Sequence, residues 1–323
     1  MTSTVTQPKN MVWVPGGDFL MGSEDFYPEE RPVHPAQVGG FWMDAHPVTV
    51  AEFRRFVKAT GHVTVAETAP EAADFPDAAA DQLVPGSLVF TPPGRRVGLD
   101  DFRVWWAWVP GAQWRHPEGP GSTLNGRELH PVTHVAYADT LAYASWAGKE
   151  LPTEGEWEFA ARGGLEGAVY AWGDDVTPRG RQMANTWQGD FPMHNDLLDG
   201  YERTSPVGAF PPNGYGLVDM TGNVWEWTCQ EFRSSHAGAV QASYDAPADG
   251  CCAPRRAPHE DPAHHPESEA GSALKVIKGG SHLCAPNYCL RYRPAARQSQ
   301  TLDTSTSHLG FRCISRGEGR PST

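Results

Sequence analysis

The chain has 323 residues and a formal net charge of −13, with 26 Lys and Arg against 39 Asp and Glu. It contains no run of basic residues, so binding to nucleic acid is not expected, and no apolar stretch reaches the about 20 residues of a membrane span. Residues 1–10 lack the pattern of a signal peptide, so a cytoplasmic location is expected. Abundant glycine, proline and tryptophan predict a globular, loop-rich chain with large rings in its core.

Apolar periodicity and turn residues predict few regular elements. In chain order these are strands at 11–14, 18–22 and 40–44, helices at 49–57, 136–147 and 153–162, and strands at 274–278 and 309–314. The first helix begins at a capping-box pattern, Thr49 with Glu52 three residues later, and is expected to stop at Gly61. Thr153 and Glu156 repeat the pattern at the third helix.

Long irregular segments are predicted between these elements. Residues 66–100 are rich in Ala, Pro and Asp and are expected to form a surface loop, and an aromatic cluster follows at 104–109. Residues 233–272 are poor in apolar side chains and are expected to form a mobile insertion, whose scattered histidines are not expected to bind metal. The expected division is a flexible N-terminus at 1–10, a single domain at 11–316 and a tail at 317–323.

Cys284 and Cys289 are the most informative pair of residues. Their spacing is too wide for a zinc-type C-x₂-C knuckle, and no second pair accompanies them. Two soft thiolates without a hard ligand suit a soft ion such as Cu(I), or redox chemistry. From spacing alone, a disulfide or two buried free thiols is the favoured interpretation. The cysteines at 229, 251 and 252 are interpreted as bystanders.

A series of motifs runs along most of the chain. They are VPGG at 14–17, FLMGS at 19–23, WRHPEGP at 114–120, HPV at 130–132, WAGKELPTE at 146–154, ANTWQG at 184–189, FPPNGYGL at 210–217, GNVWEW at 222–227, GGSHLCAPNYCLRYR at 279–293 and LGFR at 309–312. With these motifs the sequence resembles the formylglycine-generating enzymes, oxidases that convert a cysteine of sulfatases to Cα-formylglycine. The segment at 279–293 distinguishes them from a wider superfamily. The resemblance implies a single compact α/β (α+β) domain, poor in regular structure and related to C-type lectins.

The resemblance also implies an active site. Cys284 and Cys289 would hold Cu(I), the substrate cysteine would add a third sulfur, and O₂ would react there with an external thiol as reductant. Ser281 would contribute a hydroxyl to the oxygen pocket, and Trp225 would border the copper site. The implied substrate is an unfolded sulfatase segment with the motif Cys-x-Pro-x-Arg, bound by a monomeric enzyme. Candidate partners of the substrate arginine are the acidic residues of the 66–77 loop, which are Glu67, Glu71, Asp74 and Asp77.

Two calcium sites are implied in the same way. The first set of ligands comprises Asn185, Thr186, Asp199 and Tyr201. The second set comprises Asp219, Gly222, Val224 and Glu226. Positions that carry disulfide cysteines in the secreted relatives are Ala144, Ala161 and Pro294 here, which leaves Cys313 as an expected buried thiol. This pattern fits the prokaryotic branch of the family.

Two other functions stay open at this stage. One is an iron-dependent sulfoxide synthase or another oxidase of the superfamily, which would need a histidine-rich iron site. The other is a non-catalytic, lectin-like binding module, for which the cysteine pair would have no purpose.

Overall fold

Three α-helices and four small β-sheets form the framework in the computed structural model, which describes residues 8–73, 76–77, 83–237 and 273–316. The helices are α1 (Val50–Thr60), α2 (Tyr137–Ala147) and α3 (Glu154–Arg162). The strands are β1 (Met11–Val14), β2 (Gly17–Met21), β3 (His34–Val38), β4 (Phe41–Asp44), β5 (Gly86–Phe90), β6 (Trp106–Pro110), β7 (Trp225–Glu231), β8 (Leu274–Lys278), β9 (Arg297–Thr301), β10 (Leu309–Gly310) and β11 (Ile314–Ser315). No helix in the described ranges is long and apolar enough to cross a membrane.

The helices begin and end where the sequence predicted. At α1 the backbone N–H of Glu52 donates to Thr49 Oγ1 (3.3 Å), and the Thr49 N–H donates to Glu52 Oε2 (2.9 Å). Thr153 and Glu156 form the same capping box at α3. Each of the three helices is followed by a left-handed glycine, as at Gly61, where φ is 71°. These caps satisfy amide and carbonyl groups that a helix leaves unpaired at its ends.

The sheets are small, and the one that matters for the site has the order β10-β7-β8-β9. β7 pairs in parallel with β10 and antiparallel with β8, and β8 pairs antiparallel with β9. The other sheets are β1-β4-β11, β2-β3 and β5-β6. Few helices beside many short strands make an α+β fold, which confirms the expected fold class.

Several predictions of loops were wrong. The stretch 66–100 contains β5, whose residues Val89 and Phe90 are buried against the paired strand β6. β3 lies between the strands predicted at 18–22 and 40–44, where an irregular segment was expected. The single strand expected at 309–314 is two short strands. Three expected segments lie wholly or mostly outside the described residues. They are residues 1–7 of the flexible N-terminus expected at 1–10, most of the insertion (238–272, with Cys251, Cys252 and the histidines His259, His264 and His265) and the tail at 317–323.

A buried network of charges joins α3 to β8 and β9. Arg297 donates from Nε and Nη2 to the two oxygens of Glu154 (2.7 and 2.9 Å), and Lys278 Nζ donates to Glu158 Oε2 (3.0 Å). All four side chains are almost completely inaccessible to solvent. Because these ions are paired within the core, they fix the end of β8, from which the cysteine-containing segment departs.

Candidate active site

Two glycines turn the chain sharply after β8. Gly279 and Gly280 have φ values of 93° and 68°, and a Cβ on Gly280 would lie 2.9 Å from the Arg291 backbone. Only glycine fits such a close, left-handed turn. Tight turns then follow, in which Cys289 N donates to Ala285 O (2.8 Å). The segment therefore folds back on itself and brings its two cysteines together.

Cys284 and Cys289 are both buried, and their sulfur atoms lie 3.0 Å apart. This distance is well beyond the about 2.05 Å of a disulfide bond, and both thiols are reduced. The hydrogen bond from Cys284 and the nearby Arg291 guanidinium together lower the pKa of Cys289 to about 7, against the opposing effect of burial. Burial, together with the same hydrogen bond, raises the pKa of Cys284. The pair therefore favours a Cys289 thiolate that accepts the Cys284 S–H.

The pair lies in the wall of a cavity of about 700 Å³. Aromatic residues make up much of its lining: Trp105, Trp106, Phe191, Trp225 and Tyr288. Tyr288 stacks on Phe191 with ring centroids 4.6 Å apart, and Trp105 meets Tyr288 edge to face at 5.3 Å. Trp225 is both a core residue and part of the wall of the cavity that the cysteines line, and its role beside copper stays a prediction. These rings limit the access of bulk water to the buried sulfur atoms, although polar side chains form much of the remaining wall.

Ser281 lies beside the cysteines and lines the same cavity. Its backbone N–H points at Cys284 Sγ (3.4 Å), and its Oγ accepts a hydrogen bond from Leu283 N (3.2 Å). His308 Nδ1 lies 2.9 Å from the same Oγ. The sequence analysis missed His308, because the residue stands alone before LGFR and shows no pattern that would mark it.

An N-terminal loop closes one side of the site. The Arg291 guanidinium pairs with Glu29 (2.7 Å) and lies 3.7 Å over the Tyr27 ring. Deeper in the protein, Arg293 forms a two-pronged ion pair with Glu30 (2.6 and 2.9 Å). Glu29 also lines the cavity. Neither acidic residue was predicted from the sequence, since both lie more than 250 residues before their partners.

The acidic loop predicted to read the substrate arginine is only partly available. Glu67 is already bound, because its Oε1 accepts from Arg115 Nη1 (2.6 Å) and its Oε2 caps Thr64. Asp77 is exposed, and Asp74 lies outside the described residues. Glu71 lines a second cavity of about 600 Å³, together with Asp303.

This second cavity adjoins the first, because Leu88 and Thr304 line both. Its wall is largely apolar, with Val65, Pro70 and Trp108 among the lining residues. Asp303 was not considered from the sequence, and its position follows from the turn after β9. The two cavities therefore share part of their lining, formed by β5 and the turn after β9.

The first predicted calcium set contains a buried oxygen without a partner. Asn185 is buried, its Nδ2 donates to Arg203 O (2.8 Å), and its Oδ1 accepts no hydrogen bond from the described residues. Asp199 lies in the same loop cluster and accepts from Thr186 N (3.0 Å) and Tyr201 N (2.9 Å). Burial raises the pKa of Asp199. Gln188 Nε2 also donates to Asp199 (2.9 Å). An unpaired amide oxygen and a partly buried carboxylate in one loop cluster suit a hard cation, and this site stays a prediction.

The second predicted set offers a different arrangement. Glu226 accepts from Arg312 Nε and Nη2 (2.7 and 2.8 Å) and from Trp157 Nε1 (2.8 Å), so both carboxylate oxygens are engaged. Asp219 accepts from Gly208 N (2.7 Å), and burial raises its pKa to about 6. Gly222 and Val224 lie between these two residues in the sequence, in the loop before β7. An ion here would compete with the Arg312 guanidinium, and this site stays a prediction.

The other described cysteines, Cys229 and Cys313, lie apart in sequence from the Cys284–Cys289 pair. Cys313 is a buried, reduced thiol, as expected. Cys229 is disulfide-bonded, which its interpretation as a bystander did not anticipate. Across the described ranges no three or more His, Cys, Asp and Glu side chains are grouped so as to hold a metal ion. A site built from two cysteines, or from amide and backbone oxygens, does not need such a group.

Comparisons with known proteins show the family to which the chain belongs. A family model described as a sulfatase-modifying factor enzyme 1-like domain matches residues 1–317. The chain is 53% identical over 305 residues to the formylglycine-generating enzyme of Mycobacterium tuberculosis, covering 94% of this chain and 97% of that protein. The chain belongs to the formylglycine-generating enzyme family. The resemblance inferred from the motifs is thereby confirmed.

Other relatives show why membership of this family does not by itself establish activity. The inactive C-alpha-formylglycine-generating enzyme 2 of Bos taurus is 37% identical over 320 residues, covering 98% of this chain and 90% of that protein. Among solved structures, PvdO from Pseudomonas aeruginosa superposes with a TM-score of 0.57 at 26% identity, covering 94% of this chain and 93% of that one. The function therefore has to be argued from the cysteines and their surroundings.

Proposed function

We propose that this chain converts a cysteine in sulfatase polypeptides to Cα-formylglycine, with O₂ as oxidant. The observation that carries the proposal is the reduced Cys284–Cys289 pair, 3.0 Å apart in the wall of an aromatic cavity. The relative from Mycobacterium tuberculosis is named for this activity and covers nearly the same length. A lectin-like module would have no use for two reduced, buried thiols that open onto a cavity.

The proposed reaction balances with an external thiol as co-reductant. One substrate –CH₂–SH, one O₂ and two thiols give –CHO, H₂S, one disulfide and H₂O. The substrate C–S bond breaks and a C=O bond forms, so the substrate loses two electrons and the thiols lose two. The four electrons reduce O₂, whose oxygen atoms are accounted for by one aldehyde and one water.

The donor set fits Cu(I), because two buried thiolates without a hard ligand select a soft ion. Bound by Cys284 and Cys289, Cu(I) would supply a centre that activates O₂ and accepts a further sulfur. The protein side chains prepare this centre. Arg291 places a positive charge beside the Cys289 sulfur, which favours the thiolate form needed for ligation. Trp225 and its aromatic neighbours keep the sulfur atoms dry.

The adjoining cavity suits the rest of the peptide. An extended chain whose cysteine reaches the first cavity can continue into the second, where apolar walls suit proline and where Glu71 and Asp303 suit arginine. We assign the reading of the substrate arginine to these two carboxylates in place of Glu67, which is held by Arg115. An acidic protein with a net charge of −13 also attracts a cationic segment at longer range.

Calcium is proposed at the first ligand set. Asn185 Oδ1 and Asp199 would contribute side-chain oxygens, and backbone carbonyls of Thr186 and Tyr201 would complete part of the shell. The support is the unpaired amide oxygen described above. An ion here would tie together loops that have little regular hydrogen bonding of their own.

Mass spectrometry of a synthetic peptide tests the proposal. A Cys-x-Pro-x-Arg peptide incubated with the enzyme, Cu(I), a thiol reductant and air should lose about 18 Da, the difference between cysteine and formylglycine. Cys284→Ser and Cys289→Ser should abolish this loss, whereas Cys313→Ser, a buried thiol remote from the pair in sequence, serves as the matched control. No conversion by the copper-loaded wild type would overturn the proposal and favour a binding module.

A further inference from the structure

The Ser281 hydroxyl has two neighbours that decide where its proton can point. Leu283 N donates to Ser281 Oγ at 3.2 Å, and His308 Nδ1 lies 2.9 Å from the same atom. A serine hydroxyl has two lone pairs and one proton. One lone pair of Ser281 Oγ accepts from the backbone N–H of Leu283. The tautomer of His308 then decides whether the second lone pair accepts from Nδ1–H or whether the Ser281 O–H donates to Nδ1.

We infer that His308 is a positioning residue whose Nδ1–H donates to Ser281 Oγ and thereby directs the Ser281 hydroxyl proton into the cavity. With both lone pairs filled by donors, the O–H can no longer turn back toward Leu283 or His308. Both Ser281 and His308 line the cavity beside the cysteines. The opposite tautomer would receive the Ser281 proton on Nδ1 and leave the serine able only to accept a hydrogen bond.

The surroundings hold the His308 ring in place. The ring meets Trp106 edge to face with centroids 4.8 Å apart, and the His308 backbone carbonyl accepts from Trp225 N (2.8 Å). Both contacts belong to strands, Trp106 to β6 and Trp225 to β7. The imidazole is therefore fixed by two elements that do not depend on Ser281.

The ring is also kept neutral. Burial lowers the pKa of His308 well below its usual value, and the nearby His282 and His134 lower it further. A neutral imidazole carries one proton, so His308 acts through its choice of tautomer and not through a change of charge. The consequence for the reaction rests on the proposed function. There, the Ser281 O–H directed into the cavity would donate a hydrogen bond at the place where O₂ is reduced.

The tautomer can be measured without metal or peptide. Histidine ¹⁵N NMR of the metal-free full chain should show His308 as a single neutral species protonated at Nδ1, at mildly acidic and at mildly basic pH alike. Ser281→Ala should remove the acceptor and shift the ring toward a mixture of tautomers. Protonation at Nε2 in the wild type would overturn the inference, and this outcome stands whether or not the protein converts a peptide.

Two crossed substitutions test the consequence in the copper-loaded enzyme. His308→Phe keeps the ring packing on Trp106 but removes the donor, and should lower kcat about ten- to hundredfold with little change in KM. His308→Asn loses the ring but places an amide near the Nδ1 position, and should recover most of that loss. Each variant's unfolding midpoint and Cu(I) stoichiometry are measured in parallel.

Coupling to Ser281 completes the test. If His308 acts only through Ser281, the double variant Ser281→Ala/His308→Phe should be no slower than Ser281→Ala alone. Independent, multiplicative losses would overturn the inference. The inference would also be overturned if His308→Phe were active and His308→Asn impaired, because His308 would then act through the packing of its ring and not through a hydrogen bond.

Discussion

The buried ion pair between Glu30 and Arg293 anchors the N-terminal loop to the cysteine segment. Arg293 Nη1 and Nη2 donate to the two Glu30 oxygens at 2.9 and 2.6 Å, and Arg293 Nε donates to Leu290 O at 2.7 Å. Glu30 is 0% exposed and Arg293 is 1% exposed. Glu30→Gln keeps the size of the side chain and removes its charge, so the guanidinium is left buried without a counter-ion.

The expected cost is large. Breaking one partner of a fully buried pair typically destabilises a protein by about 3–5 kcal/mol, because the remaining charge stays desolvated. The pair between Arg96 and Asp190 is the matched control: its atoms are 3.6 Å apart and its side chains are 85% and 54% exposed. Asp190→Asn should therefore cost less than about 1 kcal/mol.

Urea unfolding followed by tryptophan fluorescence measures both free energies. We expect Glu30→Gln to lower the midpoint strongly and Asp190→Asn to leave it almost unchanged. The double variant Glu30→Leu/Arg293→Met, which removes both charges, should regain much of the lost stability, because no unpaired ion remains. If Glu30→Gln lowered the free energy of unfolding as little as Asp190→Asn does, the buried pair would be no more important for stability than an exposed one, contrary to this prediction.

Three further predictions concern calcium, acid stability and substrate selection. Chelation should lower the free energy of unfolding of the wild type by about 2.7 kcal/mol if calcium had been present at 100 times its Kd. Asn185→Ala should abolish this difference, and equal sensitivity of both proteins would contradict the site. Burial lowers the pKa of His134 from 6.5 to about 4, so neutral His134 contributes about 3 kcal/mol to the free energy of unfolding above pH 6.5, and this is lost as the pH falls to 4. In urea titrations, the free energy of unfolding of His134→Gln should depend less steeply on pH in this window. An unchanged pH dependence would contradict this prediction. Asp303→Asn should raise KM about two- to fivefold for an arginine peptide and not for its leucine analogue; equal effects on both peptides would exclude direct reading of the arginine.

Local signals predicted the helices well. The capping boxes at Thr49 and Thr153 and the glycines that follow each helix lie close in sequence to what they stabilise, so their effect can be seen without tertiary structure. β3 and β5 were missed for the opposite reason. The sequence of β5, Gly86–Phe90, becomes a strand only through its ladder with β6, about twenty residues later.

The same division applies to the site. Cys284 and Cys289 are five positions apart, and the motif around them predicted their association. Glu29 and His308 reach the cavity from opposite ends of the chain, and only the folded arrangement brings them to the cysteines. The ion pair between Glu67 and Arg115 could not be predicted either, because the two residues are distant in sequence.

X-ray absorption at the copper edge tests most directly whether Cys284 and Cys289 form the metal centre. We expect one Cu(I) per chain with two sulfur neighbours, and a third sulfur when a Cys-x-Pro-x-Arg peptide is added. Cys284→Ser should lose the two-sulfur signature, whereas Cys313→Ser should retain it. The claim that these two cysteines bind the metal would be wrong if copper were bound through nitrogen and oxygen. It would also be wrong if the two sulfur neighbours were still present in Cys284→Ser.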